Sequence, residues 1–410
     1  MSRLFCAMYY KNNLHPVVRT RVNFLYTNIG RGHPFYLDGI LEALVRSGRV
    51  SLVRSQSDVF DVSRGLAKIA WQVARWLYHQ GSSPGPVSLL YKRLRAGTDY
   101  NRTSLSLKLM GRDIRRRFLH DVTPLVVAHP SLVAILREKA NLIYQHGELV
   151  VPSEALVAGA SKVLVPTEAA ARAFVGSGFQ KKDVIVTGLC IEPALVKQAH
   201  DALNLRIQRL QSEEPLTGAF FSSGAEPHEH VMRLVAAAIS AVSSGGRVIL
   251  FAKKGGAFAH YARDKLTAAR IEFYPVDSRE LLPAEFPAVT IIEYSSRREE
   301  NSFTAQLFSR FDYFVAPSHE RTNWALGLGL PMFIVGPAIG PFAPLNRDLL
   351  LAGGAAVDIN SVTAAGRFGE NLNRLRSSGR LVQMAEAGRG KYEIGGFHAI
   401  ARFLISSFGG

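Results

Sequence analysis

The stretch Val22-Asn23-Phe24-Leu25-Tyr26-Thr27-Asn28-Ile29-Gly30-Arg31-Gly32-His33 sets the reading of the whole chain. A β-branched and aromatic run, Val22–Thr27, stops at a glycine turn, and the segment after it, Pro34–Val45, has helical spacing. Glycines let the backbone come close to a ligand, and the N-terminus of a helix offers N–H groups to an anion or a developing oxyanion. His33 stands at the start of that helix, with a side chain able to take a proton from a hydroxyl near neutral pH. The plainer reading of the turn is a tight strand-to-helix connection. It lacks the third glycine of the dinucleotide fingerprint, and no acid follows on a clear second strand.

The same rhythm extends to both sides. Pro124–Ala128, Leu142–Gln145, Lys162–Pro166 and Val184–Thr187 read as buried strands, with Ser131–Lys139 and Thr167–Gly176 as helices between them. After a polar boundary at Ser212–Pro215, strand-like runs return at Leu216–Phe221, Arg247–Ala252, Arg270–Tyr274, Ala288–Ile292, Tyr313–Ala316 and Met332–Val335. His230–Val242, Asn323–Leu328 and Leu345–Ala352 are the helical patterns among them. Short, continuous apolar strands alternating with helices indicate α/β domains built on parallel sheets covered on both faces. A length of 410 residues fits two such domains, each of roughly 200 residues. The spacing divides the chain into residues 1–212, residues 213–394 and a terminal helical segment, 395–410, able to cross back to the first domain.

Composition narrows the class. Cys6 and Cys190 form no metal-binding or CxxC spacing, which reads as a reduced, cytoplasmic protein. Lys11, Asn12 and Asn13 interrupt the N-terminal segment where a signal peptide would be apolar. No run of about 18 uncharged apolar residues occurs. The formal net charge is +16, which favours polyanionic partners. Much of it is concentrated in an insertion, Arg64–Arg117, that breaks the strand–helix rhythm with twelve Lys or Arg against Asp99 and Asp113. Lys68, Trp71, Arg75 and Trp76 recur there at near-helical spacing. Rings and cations so arranged suit a helix lying on an anionic membrane surface, which makes the expected protein peripheral on the inner face of a membrane. A solvated basic face over an ordinary core helix is the other reading. Charge alone would also suit nucleic acid, but no helix-turn-helix, zinc module or RNA-binding signature accompanies it.

Two further turns could carry chemistry. Ser222, Ser223 and Gly224 follow a strand and precede a helix, an arrangement able to hold a diphosphate, although no Gly-Lys-Ser/Thr follows as in a Walker loop. The longer motif runs Ala316-Pro317-Ser318-His319-Glu320-Arg321-Thr322-Asn323-Trp324, then Gly329-Leu330-Pro331, and continues to Asn346 and Gly353-Gly354-Ala355-Ala356. Its polar turn falls at the carboxyl edge of a parallel sheet, where open α/β folds bind ligands.

Taken in order, these motifs resemble glycosyltransferase family 28, the group of the lipid II N-acetylglucosaminyltransferase and the diacylglycerol glycosyltransferases. The resemblance rests on the Gly-Arg-Gly-His turn, the basic and aromatic insertion, Ala128-His129-Pro130 and Val150–Val165. It continues through Lys182–Gly188, the Ser-Ser-Gly loop and the stretch from Gly-Leu-Pro to Asn346, so that it spans Val22 to Val357. It implies two Rossmann-like domains facing a central cleft, the GT-B architecture, with the acceptor on the first and a nucleotide-sugar, usually uridine diphosphate-linked, on the second. It further implies inverting transfer to a lipid or lipid-linked acceptor, with no metal and no cofactor beyond the nucleotide-sugar co-substrate. His33 takes the catalytic place, with Asn28, Gly30, Gly32 and His129 around the acceptor. Ser222, Ser223, Gly224, Ser318, Glu320, Thr322, Asn323 and Asn346 are expected at the donor.

The chain departs from the family pattern at three positions. Trp324 stands where a glutamate usually binds the ribose hydroxyls, and an indole cannot accept those hydrogen bonds. Asn28 replaces an aspartate five residues before the histidine, and Leu345 replaces a glutamine-type residue. These changes keep open a non-catalytic GT-B protein that binds a nucleotide or a partner subunit. A nucleotide-sugar epimerase of the same architecture would call for catalytic carboxylates that are not apparent in the sequence.

Overall fold

A computed structural model describes residues 21–30, 32–81, 93, 98–278, 282–283 and 285–409. The segment Ser82–Pro86 and Arg31 lie outside the described residues, as do residues 1–20.

The first sheet contains β1 (Val22–Tyr26), β2 (Val53–Asp58), β3 (Leu125–Val127), β4 (Leu142–Gln145), β5 (Lys162–Val165) and β6 (Val184–Val186). All pairings are parallel, in the order β2-β1-β3-β4-β5-β6. Phe24 on β1 lies opposite Gln56 on one side and Val126 on the other. The second sheet contains β7 (Thr217–Phe221), β8 (Arg247–Lys253), β9 (Tyr274–Val276), β10 (Val289–Tyr294), β11 (Tyr313–Ala316), β12 (Met332–Val335) and β13 (Ala356–Ile359). Its order is β13-β12-β11-β7-β8-β10-β9, again parallel. In each sheet the strand order reverses beside the first strand, between β1 and β3 and between β7 and β11. Loops leaving such strands diverge and open a crevice at their carboxyl ends.

β2 and β13, both edge strands without a continuous apolar run, escape the sequence reading. The run Val53-Arg54-Ser55-Gln56-Ser57-Asp58 alternates in exposure and lacks the apolar continuity of a central strand. At the other edge the expected strand Arg270–Tyr274 shifts to Tyr274–Val276. Arg270 holds a left-handed φ of 56° just past the helix Ala257–Ala268, so the chain is still leaving that helix there. Pro275 is tolerated because β9 pairs on one side only.

Both faces of the first sheet are covered. One carries the helices Gly65–Gly81, Leu105–Phe118, Pro130–Ile135 and Glu168–Gly176. The other carries the helix Gly32–Arg46 and, from the far end of the chain, the helix Gly396–Phe408. Phe397, Ile400, Ala401 and Leu404 of that last helix join Val22, Phe24, Ile40 and Leu44 in one buried cluster. Gly39 supplies the notch, since a Cβ there would stand 2.2 Å from the Phe397 ring. The helix Ala199–Gln211 lies ahead of the boundary expected at Ser212, yet Leu203 and Leu210 are buried in the second domain's core. The chain therefore passes between the domains in the segment before that helix.

Within the basic insertion the helices Gly65–Gly81 and Leu105–Phe118 pack on each other, and their orientation corrects one expectation. Trp71 is 0% exposed and donates from Nε1 to the Met110 carbonyl at 3.0 Å, so it is a core residue and faces no membrane. Ala67 shares that buried side, and Lys68 and Arg75 lie at its margin in solvent, with the Arg75 guanidinium over the Phe60 ring. The face turned away from the core is instead apolar. Leu66, Ile69, Val73 and Trp76 follow one another at intervals of three and four and are all about half exposed or more. Exposed Leu105 and Leu109 on the second helix share a face with Arg112 and Arg116. No described helix is long and apolar enough to cross a membrane.

Replacing Phe397 by Ala should lower unfolding stability by about 3–5 kcal/mol, measured by urea denaturation. The first sheet's outer face should become accessible to a hydrophobic dye.

Candidate functional site

At the first switch point Asn28, Gly30, Gly32 and His33 line the turn leaving β1, and His129 closes the neighbouring end of β3. The rings of His33 and His129 meet edge to face, with centroids 4.4 Å apart. His33 Nδ1 lies 2.8 Å from the Ala128 carbonyl oxygen. A carbonyl only accepts, so Nδ1 carries the hydrogen and the lone pair sits on Nε2, the tautomer a proton acceptor needs. His129 Nδ1 accepts from the Ser131 backbone N–H at 3.1 Å and fixes its own ring as a helix cap. Gly30 is required by close approach, because a Cβ there would come 3.0 Å from the Tyr78 hydroxyl. Tyr78 belongs to the helix Gly65–Gly81, so the basic insertion leans directly on this turn.

At the second switch point Ser222, Ser223 and Gly224 follow β7. The Ser222 hydroxyl donates to the Ser223 carbonyl and to Glu226 Oε1, both at 3.3 Å. Glu226 adopts a left-handed φ of 44°, and its other carboxylate oxygen accepts from the Phe258 N–H at the start of the helix Ala257–Ala268. A carboxylate therefore shares this loop with any diphosphate that enters it.

The residues of the long motif are drawn inward. Ser318 Oγ donates to the Ala343 carbonyl at 2.8 Å and Thr322 Oγ1 to the His319 carbonyl at 2.7 Å. Asn323 Nδ2 crosses to the Cys190 carbonyl at 3.2 Å. Asn346 Nδ2 bonds the Ser318 carbonyl at 3.2 Å and crosses to Glu148 Oε2 at 3.1 Å. Glu320 is buried beside the Arg321 guanidinium, which also pairs with Glu300. Trp324 is 1% exposed, packs against Phe221, Phe308 and Phe314, and donates from Nε1 to Glu192 at 2.8 Å. The indole thus acts as a core residue with a satisfied polar edge. Of these side chains, Asn323, Asn346 and Trp324 tie the second domain to residues before its first helix.

Three functional candidates were not legible as such in the sequence. Glu148 follows β4 and lies buried at the seam between the domains, near Gly32, where a Cβ would stand 3.6 Å from its Oε1 and 4.0 Å from Glu320 Oε2. Burial pushes its carboxyl up to about 7; the hydrogen bond from Asn346 opposes the rise and the neighbouring Glu320 adds to it. Burial and the same Glu148 raise the Tyr36 hydroxyl well above its ordinary value, so it stays protonated. Asp58, at the end of the overlooked β2, accepts from Asn28 Nδ2, which places a carboxylate beside the His33 turn despite the asparagine there. Arg297 reaches from the second domain to donate to Asn28 Oδ1 at 3.0 Å and Asp38 at 2.8 Å. For Glu148 the only sequence signal is an acid just after a buried strand. For Asp58 and Arg297 the signal appears only once the strands are ordered.

Glu148 makes stability depend on pH. Its folded value exceeds the ordinary 4.5, so its contribution is full below that value and is lost as pH rises toward 7. The loss should be on the order of 3 kcal/mol. Urea melts at pH 4.5 and 7.5 should show Glu148→Gln losing markedly less stability across this interval than the unchanged protein.

No family model matches the sequence, and no curated protein does. Solved structures do. MurG of Acinetobacter baumannii superposes with a TM-score of 0.51 at 11% identity, covering 94% of this chain and 99% of its own. UDP-GlcNAc 2-epimerase from Neisseria meningitidis, bound to UDP-GlcNAc, gives 0.54 at 12% identity, with 94% and 99% covered. Medicago truncatula UGT71G1, complexed with UDP-glucose, gives 0.53 at 12% identity, with 96% and 99% covered. At such identities the likeness is one of fold, and the fold of this chain is the two-domain GT-B architecture.

Proposed function

We propose that the protein transfers a sugar, with inversion, from a uridine diphosphate-type donor to a lipid or lipid-linked acceptor at a membrane surface. The observation that carries this reading is His33. It stands at the first switch point with its lone pair on Nε2, close to Phe342 of the second domain, where the carboxyl edges of the two sheets meet. Sugar transfer from a nucleotide donor needs a group to take the acceptor's proton and a neutral-to-positive surround for the departing diphosphate. His33 supplies the first. Backbone N–H groups at the turns after β7 and β11 supply part of the second, because the hydroxyls of Ser318 and Thr322 and the amide nitrogens of Asn323 and Asn346 are already engaged. The fold neighbours bound to UDP-GlcNAc and UDP-glucose support a nucleotide-sugar in the cleft. The buried amide oxygens of Gln145, Asn323 and Asn346 have no hydrogen-bond partner, which suits a hydroxyl-rich ligand at the seam.

A second reading follows from Trp324. An indole in place of ribose-binding carboxylate, locked to Glu192, favours a protein that binds a nucleotide or a partner without turnover. Isothermal titration with UDP-glucose and UDP-GlcNAc, followed by a donor-hydrolysis assay, separates the two. Transfer chemistry requires binding and turnover, with His33→Ala lowering kcat by about 10²–10⁴-fold at little cost to donor affinity. Binding with no turnover, unchanged in His33→Ala, would leave only the second reading.

The membrane part of the proposal rests on the stripe Leu66, Ile69, Val73 and Trp76, with Lys68 and Arg75 beside it and Arg112 and Arg116 on the neighbouring helix. Apolar side chains enter the headgroup region while cations meet anionic lipid. Sedimentation with phosphatidylcholine vesicles should be weak and rise with added phosphatidylglycerol. Leu66→Asp with Trp76→Asp should lower the bound fraction by roughly tenfold. Trp71→Phe, altering a core residue, should leave it unchanged.

A further inference from the structure

A groove of about 930 Å³ opens between the domains, away from the His33 turn. Its floor is the carboxyl edge of β5 and β6, at Pro166–Thr167 and Val186–Gly188. One wall is the segment Leu149–Val151, and the facing wall comes from Leu349 on the helix Phe342–Ala352 and from Tyr392. Leu349 and Val186 are exposed apolar residues. Arg172, Lys391 and Arg402 border the space, and none of them pairs with a described acid, although Glu168 and Glu393 also touch it. Its size suits a ligand of several dozen atoms.

We propose that this groove binds an amphiphilic anion, an apolar chain carrying a phosphate-like group, and thereby holds the acceptor. The second half of that statement rests on the transferase reading; the first does not. Charge and shape select the ligand class together. The apolar walls cover a chain, while three unpaired cations outnumber the two carboxylates and can meet an anionic group. Position gives the direction. Leu149 directly follows Glu148, and Leu349 lies one turn beyond Asn346 on the same helix, so the groove begins where the Glu148–Asn346 bond closes the seam. An acceptor lying in it would point one end toward that seam. Because the walls come from both domains, the groove exists only when they are joined.

The test is calorimetric titration of the full chain with dodecyl phosphate below its micelle concentration, alongside inorganic phosphate and dodecyl maltoside. Dodecyl phosphate should bind at least tenfold tighter than either control. Arg172→Glu with Arg402→Glu should weaken it by at least tenfold, and Leu349→Asp should also weaken it, all with unchanged thermal melts. Equal affinity for dodecyl maltoside would remove the anionic half of the proposal, and equal affinity for inorganic phosphate the apolar half. Charge-reversed protein that binds as well as the unchanged protein would overturn the site. UDP-glucose titration of the same variants should be unaltered. A protein that binds dodecyl phosphate but no UDP-sugar would sink the transferase reading and leave the groove standing.

Discussion

Two backbone hydrogen bonds hold the architecture in register. Leu189 N–H donates to the Glu393 carbonyl at 2.7 Å, and Gly396 N–H donates to the Leu189 carbonyl at 3.0 Å. They join the segment leaving the first domain to the segment returning to it. Gly188 has a φ of 93°, and a Cβ there would come 2.7 Å from the Glu393 carbonyl, so the two crossings run in direct contact. With the crossings fixed side by side, the carboxyl edges of both sheets are turned to one seam. The bonds of Asn346 to Glu148, Asn323 to Cys190 and Arg297 to Asn28 all follow from that placement.

The seam combines strong and weak elements. Burying Glu148 and Glu320 near one another is unfavourable while both are charged, and the rise in the Glu148 carboxyl is how that conflict is relieved. The Arg321 guanidinium between Glu300 and Glu320, stacked over Phe221, compensates on the other side. Closure of the domains is thus favoured by hydrogen bonds and opposed by desolvation.

The alternation of apolar strands and helices made both sheets readable, because a central parallel strand must be apolar on both faces and only a few patterns satisfy that. Edge strands need not obey that rule; β6 kept an apolar run and was read, β2 did not, and with β2 went Asp58, the carboxylate beside Asn28. Helical spacing located the insertion's helices but could not say which side would face the sheet. Two tryptophans five residues apart lie on different sides, and packing chose Trp71 for the core and left Trp76 in solvent. The turn after β11 was found by its glycines and proline. That its polar side chains would bond inward and across the seam depends on Glu148, Cys190 and Glu192, which lie far away in sequence and carry no local signal.

The return of the helix Gly396–Phe408 to the first domain also orders events during synthesis. The first sheet leaves the ribosome with one face covered only by the helix Gly32–Arg46, and its remaining cover arrives after the whole second domain has been made. Over that interval the apolar surface around Val22, Phe24 and Ile40 stays partly open, an invitation to chaperones and to self-association. Completion of the first domain is therefore contingent on completion of the second, and a nascent chain stalled midway should be aggregation-prone even though every strand of its first sheet is already present.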